Sequence, residues 1–346
     1  MRVMRQPEIS DRQREILFKT LELYISTGCP VGSHALTETV DASSSTIRTE
    51  LSYLESEGLL THPHTSAGRV PTDAGYRYYV DALMAEDPRE AISFEAPEGP
   101  GNLDELLRSV SEGMSEVTRL LAVVAGPSAL GDSLSRVDYL QLPGGMLLLV
   151  VSMESGASSS TTVTLPAYVE EDELREIFAA LNSWIGGRPV GGEMDLATIA
   201  RKALSDHNPL VAETVLEAVE VLGRATERGV FVRGASALLA RLDELDPQSL
   251  AAVVEIFERR RWLLGLMGDA LQRSAVSNSG VVVSIGAENA FYNLVGTSLV
   301  AAAYSHRERP YGVVSLIGPK RMDYDAAIST VRSAAEALTV RLSTGF

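Results

Sequence analysis

Ser43-Ser44-Ser45-Thr46-Ile47-Arg48-Thr49-Glu50-Leu51-Ser52-Tyr53-Leu54-Glu55-Ser56-Glu57-Gly58 is the stretch on which the reading of this chain turns. Ile47, Leu51 and Leu54 recur at i, i+4 and i+7, the spacing of one helical face, so the serine run leads into a helix that lasts to about Gly58. With Ile47 set toward a core, Ser45, Thr49, Ser52 and Ser56 fall on the opposite face and Arg48 on its shoulder. Glu50, Glu55 and Glu57 fall beside the core stripe, so the outward face carries no carboxylate. Small hydroxyl side chains let a helix approach the floor of a DNA major groove, and an arginine there can address guanine O6 and N7 together. Capping chemistry on a solvated helix would show the same serines. The neighbouring elements weigh between the two readings.

Upstream, Ser10-Asp11-Arg12-Gln13 has the form of a capping box, with Ile16, Leu17, Leu21 and Tyr24 following at helical spacing. Gly28 and Pro30 stop that helix, and Ser33 is the expected N-cap of a short second one carrying Ala35 and Leu36. Downstream of Gly58, Leu59-Leu60 and Arg69-Val70-Pro71 read as two short strands around the turn His62-Pro63-His64-Thr65-Ser66-Ala67-Gly68. Helix, helix, turn, helix and hairpin in that order is the layout of a winged helix-turn-helix. Its tip, with His64, Thr65, Ser66, Gly68 and Arg69, can meet phosphates or a minor groove. His62 and His64 lack an acidic or cysteine partner nearby in sequence, so no metal site is expected. Asp73 is the expected cap of a further helix through Tyr76, Tyr79, Val80 and Leu83.

At 346 residues the chain is too long for a single core, and two or three domains are expected. Proline and glycine mark 87–102 as a linker. Apolar residues from Leu103 to Val124 advance mostly by three and four and predict one long amphipathic helix. Strand texture runs from Val137 to Leu165, helical texture over 170–228 and about 248–273, and strands return at Val281–Ile285, Thr297–Tyr304 and Tyr311–Ile317 before a closing helix from about Tyr324 to Leu342. That order predicts an α+β domain interrupted by a helical insertion.

Thirty Lys and Arg against 46 Asp and Glu give a net charge of −16. The first 80 residues hold 8 basic and 10 acidic side chains, so −14 belongs to the remainder. The acidity therefore resides outside the segment read as facing DNA. Phosphate-loop, nucleophile-elbow and zinc-protease motifs are missing from the sequence, and no catalytic residue, cofactor or metal is expected. Apolar runs such as Met146–Val151 fall far short of the ~20 residues that cross a bilayer. No apolar segment follows the arginines of the N-terminus, so no secretory signal is expected. Cys29, the single cysteine, cannot form an internal disulfide and fits a reducing cytoplasm.

Thr27-Gly28, Pro30-Val31-Gly32-Ser33, Ser45-Thr46-Ile47-Arg48, Leu54-Glu55, Gly58-Leu59-Leu60, the run from Pro63 to Pro71 and Gly75-Tyr76-Arg77-Tyr78-Tyr79-Val80-Asp81 resemble the HrcA family, repressors of bacterial heat-shock chaperone operons. Near the other end, Val283-Ser284-Ile285-Gly286, Glu288-Asn289 and Ile317-Gly318-Pro319-Lys320-Arg321-Met322-Asp323-Tyr324 are similar to the same family, while the middle matches in texture only. The resemblance implies an α+β multidomain fold: an N-terminal winged helix-turn-helix at 1–86, a linker at 87–102, a GAF-like α/β domain at 103–168 and 232–346, and an inserted helical dimerising segment at 169–231. It implies DNA contacts from Ser33, His34, Ser44, Ser45, Thr46, Arg48, Thr49, Ser52, His64, Thr65, Ser66, Gly68 and Arg69. Family members often carry a basic residue in place of His34 and Asn in place of Thr49, and Thr49 cannot make the two-bond contact to adenine that Asn can. The resemblance further implies a homodimer on double-stranded DNA at an inverted-repeat operator of CIRCE type, and a GroEL-type chaperonin as partner. A regulator that senses a small molecule through the GAF-like domain is the alternative.

Overall fold

The computed structural model describes residues 7–63, 68–85, 103–126, 134–153, 158–165, 169–185, 202, 205, 211, 214–215, 229–240, 260–275, 277, 279–292 and 294–344. The expected linker at 87–102 lies outside them, as does much of the helical texture expected over 186–228 and 248–259.

Helix α1 (Asp11–Thr27) starts at the capping box read from sequence: the Ser10 hydroxyl accepts the Gln13 N–H, and the Gln13 side chain accepts the Ser10 N–H. It buries Ile16, Leu17 and Leu21 and stops at Gly28, whose φ of 70° is the left-handed conformation a glycine adopts without cost. Helix α2 (Ser33–Leu36) is capped by Gly32 rather than Ser33, because the Ser33 hydroxyl lies 3.1 Å from that of Ser44 instead. Helix α3 (Ser44–Ser56) takes Ser43 as its cap and buries Ile47, Leu51 and Leu54. Strands β1 (Leu60–Thr61) and β2 (Val70–Pro71) pair antiparallel, and Val31 and Arg69 exchange both backbone hydrogen bonds at 2.8 Å, adding a third row to the ladder. Thr72, not Asp73, opens α4 (Asp73–Ala85): its hydroxyl accepts the Gly75 N–H and donates to the Gly58 carbonyl.

The long helix predicted from Leu103 to Val124 is two elements, α5 (Leu103–Thr118) and β3 (Leu121–Ala125). Arg119, at φ 56°, breaks the helix, and the Ser115 hydroxyl donates to the Leu120 carbonyl across the corner. The run Leu120–Ala125 is apolar at every position, and such a run does not reveal whether it coils or extends. Strands β4 (Leu134–Leu142), β5 (Met146–Met153) and β6 (Ser158–Thr164) follow and form their own antiparallel sheet. Helix α6 (Glu171–Ile185) covers one face of it, with Tyr139 stacked on Phe178 at 4.4 Å and Asn182 bonded to both the N–H and the carbonyl of Val137.

The chain then gives β7 (Val230–Arg233), α7 (Ala235–Leu239), α8 (Arg260–Ala275), β8 (Val281–Ile285), β9 (Thr297–His306), β10 (Arg309–Pro319) and α9 (Tyr324–Thr344). Strands β3 and β7 to β10 build a five-stranded antiparallel sheet in the order β7-β3-β10-β9-β8. Alternate residues explain its two faces. Ala122, Val124, Val300, Val314 and Leu316 pack with α5 and α9 through Val110, Met114, Val331 and Leu338. Leu121, Val123, Leu299, Val313 and Ile317 pack with α8 through Leu266, Met267 and Ala270. The three strands at 134–164 were read from sequence as part of this same domain, yet they stand in a separate sheet between β3 and β7. Among the described residues no helix is long and apolar enough to cross a membrane.

Candidate nucleic-acid interface

Three hydroxyls of α3 are tied to their own helix. Thr49 donates to the Ser45 carbonyl at 3.2 Å, Ser52 to the Arg48 carbonyl at 3.0 Å and Ser56 to the Tyr53 carbonyl at 2.7 Å. A hydroxyl has one proton and two lone pairs. With the proton turned inward, each oxygen presents acceptor capacity outward, the chemistry that meets an adenine N6 or cytosine N4 amino group. Ser43 accepts the Thr46 N–H and shares hydrogen bonds with the hydroxyls of Ser45 and Thr46. Ser45, Arg48, Thr49 and Ser52 are exposed, whereas Ser44 and Thr46 are half-buried.

Acidic side chains beside this face are engaged elsewhere. Glu50 accepts a hydrogen bond from Gln13 of α1 at 2.9 Å, and Glu55 is held by both Arg69 and His62. Among the described residues the Arg48 guanidinium has neither an ion pair nor a hydrogen bond. Tyr53, 39% exposed, stands beside Thr49 and Ser56 on the same side of the helix. Its position one turn from Thr49 and Ser56 is the signal in the spacing that marks it as part of this face.

The other expected contact residues divide. Ser33 links α2 to α3 through Ser44, and His34 is exposed on α2. Gly68 has a packing reason of its own: a Cβ there would lie 2.5 Å from the carbonyl carbon of Val31. Arg69 is paired with Glu55 at 2.8 Å and its Nε is buried without a hydrogen bond among the described residues, so this side chain braces the ladder against α3. His64, Thr65 and Ser66 lie outside the described residues. No group of three or more possible metal ligands occurs among the described residues.

A small helical unit with one exposed, acid-free helix face, carried on a larger α/β body, calls for comparison with regulators of known kind. Residues 104–328 match the family described as HrcA protein C terminal domain. The chain is 33% identical over 335 residues to the heat-inducible transcription repressor HrcA of Streptomyces avermitilis, covering 94% of this chain and 97% of that one. It is 33% identical over 337 residues to the repressor of the same name from Acidothermus cellulolyticus, with coverages of 94% and 97%. A crystal structure of a hypothetical protein superposes with a TM-score of 0.62 at 22% identity, over 97% of this chain and 99% of that one, and shares the fold. The class so defined is a transcription repressor and not an enzyme. Within that class, the chain belongs to the HrcA family of heat-inducible transcription repressors.

Proposed function

We propose that residues 7–85 are a winged helix-turn-helix reader that places α3 in the major groove of an inverted-repeat, CIRCE-type operator upstream of chaperone genes. The observation that carries this reading is the outward face of α3, where Thr49 and Ser52 turn acceptor oxygens outward beside exposed Ser45 and an Arg48 that has no partner among the described residues. Arg48, Thr49, Ser45 and Ser52 address base edges. Ser33, His34, Ser44 and Thr46 lie toward the phosphates, and the tip residues His64, Thr65 and Ser66 with Gly68 and Arg69 form the wing. Repression follows from steric competition with RNA polymerase at the promoter.

Two readers on one operator require a homodimer, with half-site centres an integral number of turns (each ~34–36 Å) apart. One face of the β4-β5-β6 sheet has no cover among the described residues, which supports a place there for the second copy. Leu140 is 58% exposed and Met146 37%, and their cross-strand partners Leu148 and Leu142 extend the apolar surface. The separate sheet also favours an inserted segment that begins after β3 and ends before β7, a longer one than the 169–231 read from sequence. The five-stranded sheet with helices on both faces is consistent with a GAF-like body. Because both faces are packed among the described residues, a GroEL-type chaperonin in the cytoplasm is the preferred modulator over an internal small-molecule effector.

A mobility-shift titration of the full chain against an inverted repeat and a scrambled duplex, with and without chaperonin, tests this reading. Specific retardation strengthened by chaperonin is the expected result. Equal retardation of both duplexes would refute the assignment of α3 to base reading. The anionic body predicts weak binding to random DNA, since charge beyond the contact face repels the duplex until salt screens it.

A further inference from the structure

Charged residues from opposite ends of the chain meet where α4 lies against the body. Arg77 donates from Nε to Glu288 at 2.9 Å, pairs with the same carboxylate through Nη2, and donates from Nη2 to the Val283 carbonyl at 2.8 Å. Burial opposes the Arg77 charge, but hydrogen bonding and charge from Glu288, then Asp81, outweigh it and hold the guanidinium above its ordinary pKa. Asp73 accepts from Lys320 Nζ at 2.8 Å and from the Ala287 N–H at 2.9 Å. That accounts for its failure to cap α4. Its carboxylate rests on Gly286, where a Cβ would fall 2.2 Å from Oδ2. Arg321 donates to the Ile25 carbonyl at 3.3 Å near the end of α1, and its guanidinium covers Gly28. Between these contacts the rings of Tyr76 and Tyr324 lie 5.8 Å apart. Burial, then the neighbouring Tyr324, pushes the Tyr76 phenol above its usual range, so this layer stays uncharged.

An isolated exposed ion pair fixes little. Here one guanidinium grips both oxygens of a carboxylate and a backbone carbonyl, and one carboxylate grips an ammonium and a backbone N–H. Such two-point contacts define direction as well as distance. The N-terminal unit is thereby seated on the body in one orientation.

Resting on the reading of the chain as a dimeric operator binder, we propose that Asp73, Arg77, Glu288 and Lys320 form a latch that fixes the reader's orientation on the body and so sets the half-site spacing the dimer accepts. These are positioning residues, remote from the DNA-facing side of α3. A reader on a loose tether follows a half-site that is moved around the duplex. A latched reader cannot, because inserting about five base pairs carries the half-site to the opposite face of the helix.

The test uses the full chain and the variant Arg77→Gln/Lys320→Gln on three duplexes: the inverted repeat, the same repeat with about five base pairs inserted in its spacer, and a single half-site. The wild type is expected to prefer the original repeat by about tenfold or more, and the variant by no more than about twofold, with half-site affinity unchanged. Lys320→Gln alone, at a more exposed position, should move the ratio the same way by less, and Lys320→Arg, which keeps the charge opposite Asp73, should leave it near the wild-type value. Hydrogen exchange of segment 286–292 without DNA provides the second readout, and it should quicken in the double Gln variant as the Ala287 N–H loses its steady acceptor. Spacing preference that survives while this exchange quickens overturns the proposal. So does tighter binding of the original repeat by the variant, which would make the contacts a restraint against DNA. A wild type that binds neither the repeat nor the half-site refutes the operator reading itself, and is recognised before any variant is compared.

Discussion

The outward face of α3 and the body-facing side of α4 belong to one small unit and use polar groups in opposite ways. On α3 the hydroxyls of Thr49 and Ser52 reach back four residues to their own helix and remain exposed. On α4 Asp73 and Arg77 reach across more than two hundred residues and are half-buried against their partners. Removing a group from the first surface strands no buried partner, so folding should hardly register its loss. On the second surface, a charge removed leaves its opposite number without compensation, and the loss is felt in how the molecule is assembled.

The largest break in this contrast should come from Gly75→Ala on α4, where the new Cβ would lie 2.2 Å from the Leu59 carbonyl oxygen. Backbone cannot step aside as a flexible side chain can, so a loss of about 3 kcal/mol is expected, visible as a lower thermal midpoint of the N-terminal unit. An unchanged midpoint would show that the close approach is not needed. Arg48→Ala should leave that midpoint alone and cost about 1–3 kcal/mol of discrimination between operator and random duplex. A comparable loss on both duplexes would move Arg48 from base reading to phosphate contact.

Ser43→Ala removes the cap of α3 and should cost about 1 kcal/mol of stability in urea denaturation, a loss that sits on the helix proposed to read DNA yet belongs to folding. Smaller again are the effects at the brace between Arg69 and Glu55. Glu55→Gln frees the guanidinium and should steepen the salt dependence of DNA binding by about one phosphate contact, whereas Arg69→Ala should not. Equal slopes in both variants would mean that the arginine serves the ladder alone. Tyr76→Phe deletes a buried hydroxyl with no hydrogen bond among the described residues and should leave stability unchanged or raise it by under about 1 kcal/mol. A clear loss would point to a partner for that hydroxyl.

Local chemistry was legible in the sequence wherever it acts over a few residues. The capping box at Ser10 and the 3.6-residue stripe of α3 appear as read, because both depend on neighbours within a turn. The strands from Val281 onward were legible for the same reason, each bounded by its own turn residues. What escaped depends on distance. Leu120–Ala125 is apolar throughout, and only the partner strands β7 and β10 decide that it extends. Asp73 follows the usual wording of a helix cap, but Lys320 and the Ala287 N–H compete for its carboxylate and Thr72 takes over the cap. Likewise the pairing of Arg69 with Glu55 joins positions fourteen residues apart and leaves no mark in local spacing. Of the surface expected to read DNA, the helical half could be drawn from spacing, while its bracing and its seat on the body could not.

The pairing of β3 with β7 carries one more implication. Ala125 faces Val230 across the ladder, and the Gly126 N–H donates to the Gly229 carbonyl at 2.7 Å, so the chain leaves the five-stranded sheet and re-enters it at the same spot. From the sheet's side, everything between these two glycines is the loop of a single hairpin. Closing a loop costs free energy that grows only with the logarithm of its length, and a loop of roughly a hundred residues costs only about 3 kcal/mol more than one of four. The sheet is therefore nearly indifferent to what the loop contains. Its sequence could be shortened to a tight turn, or exchanged for another folded module, while the strands on either side keep their register.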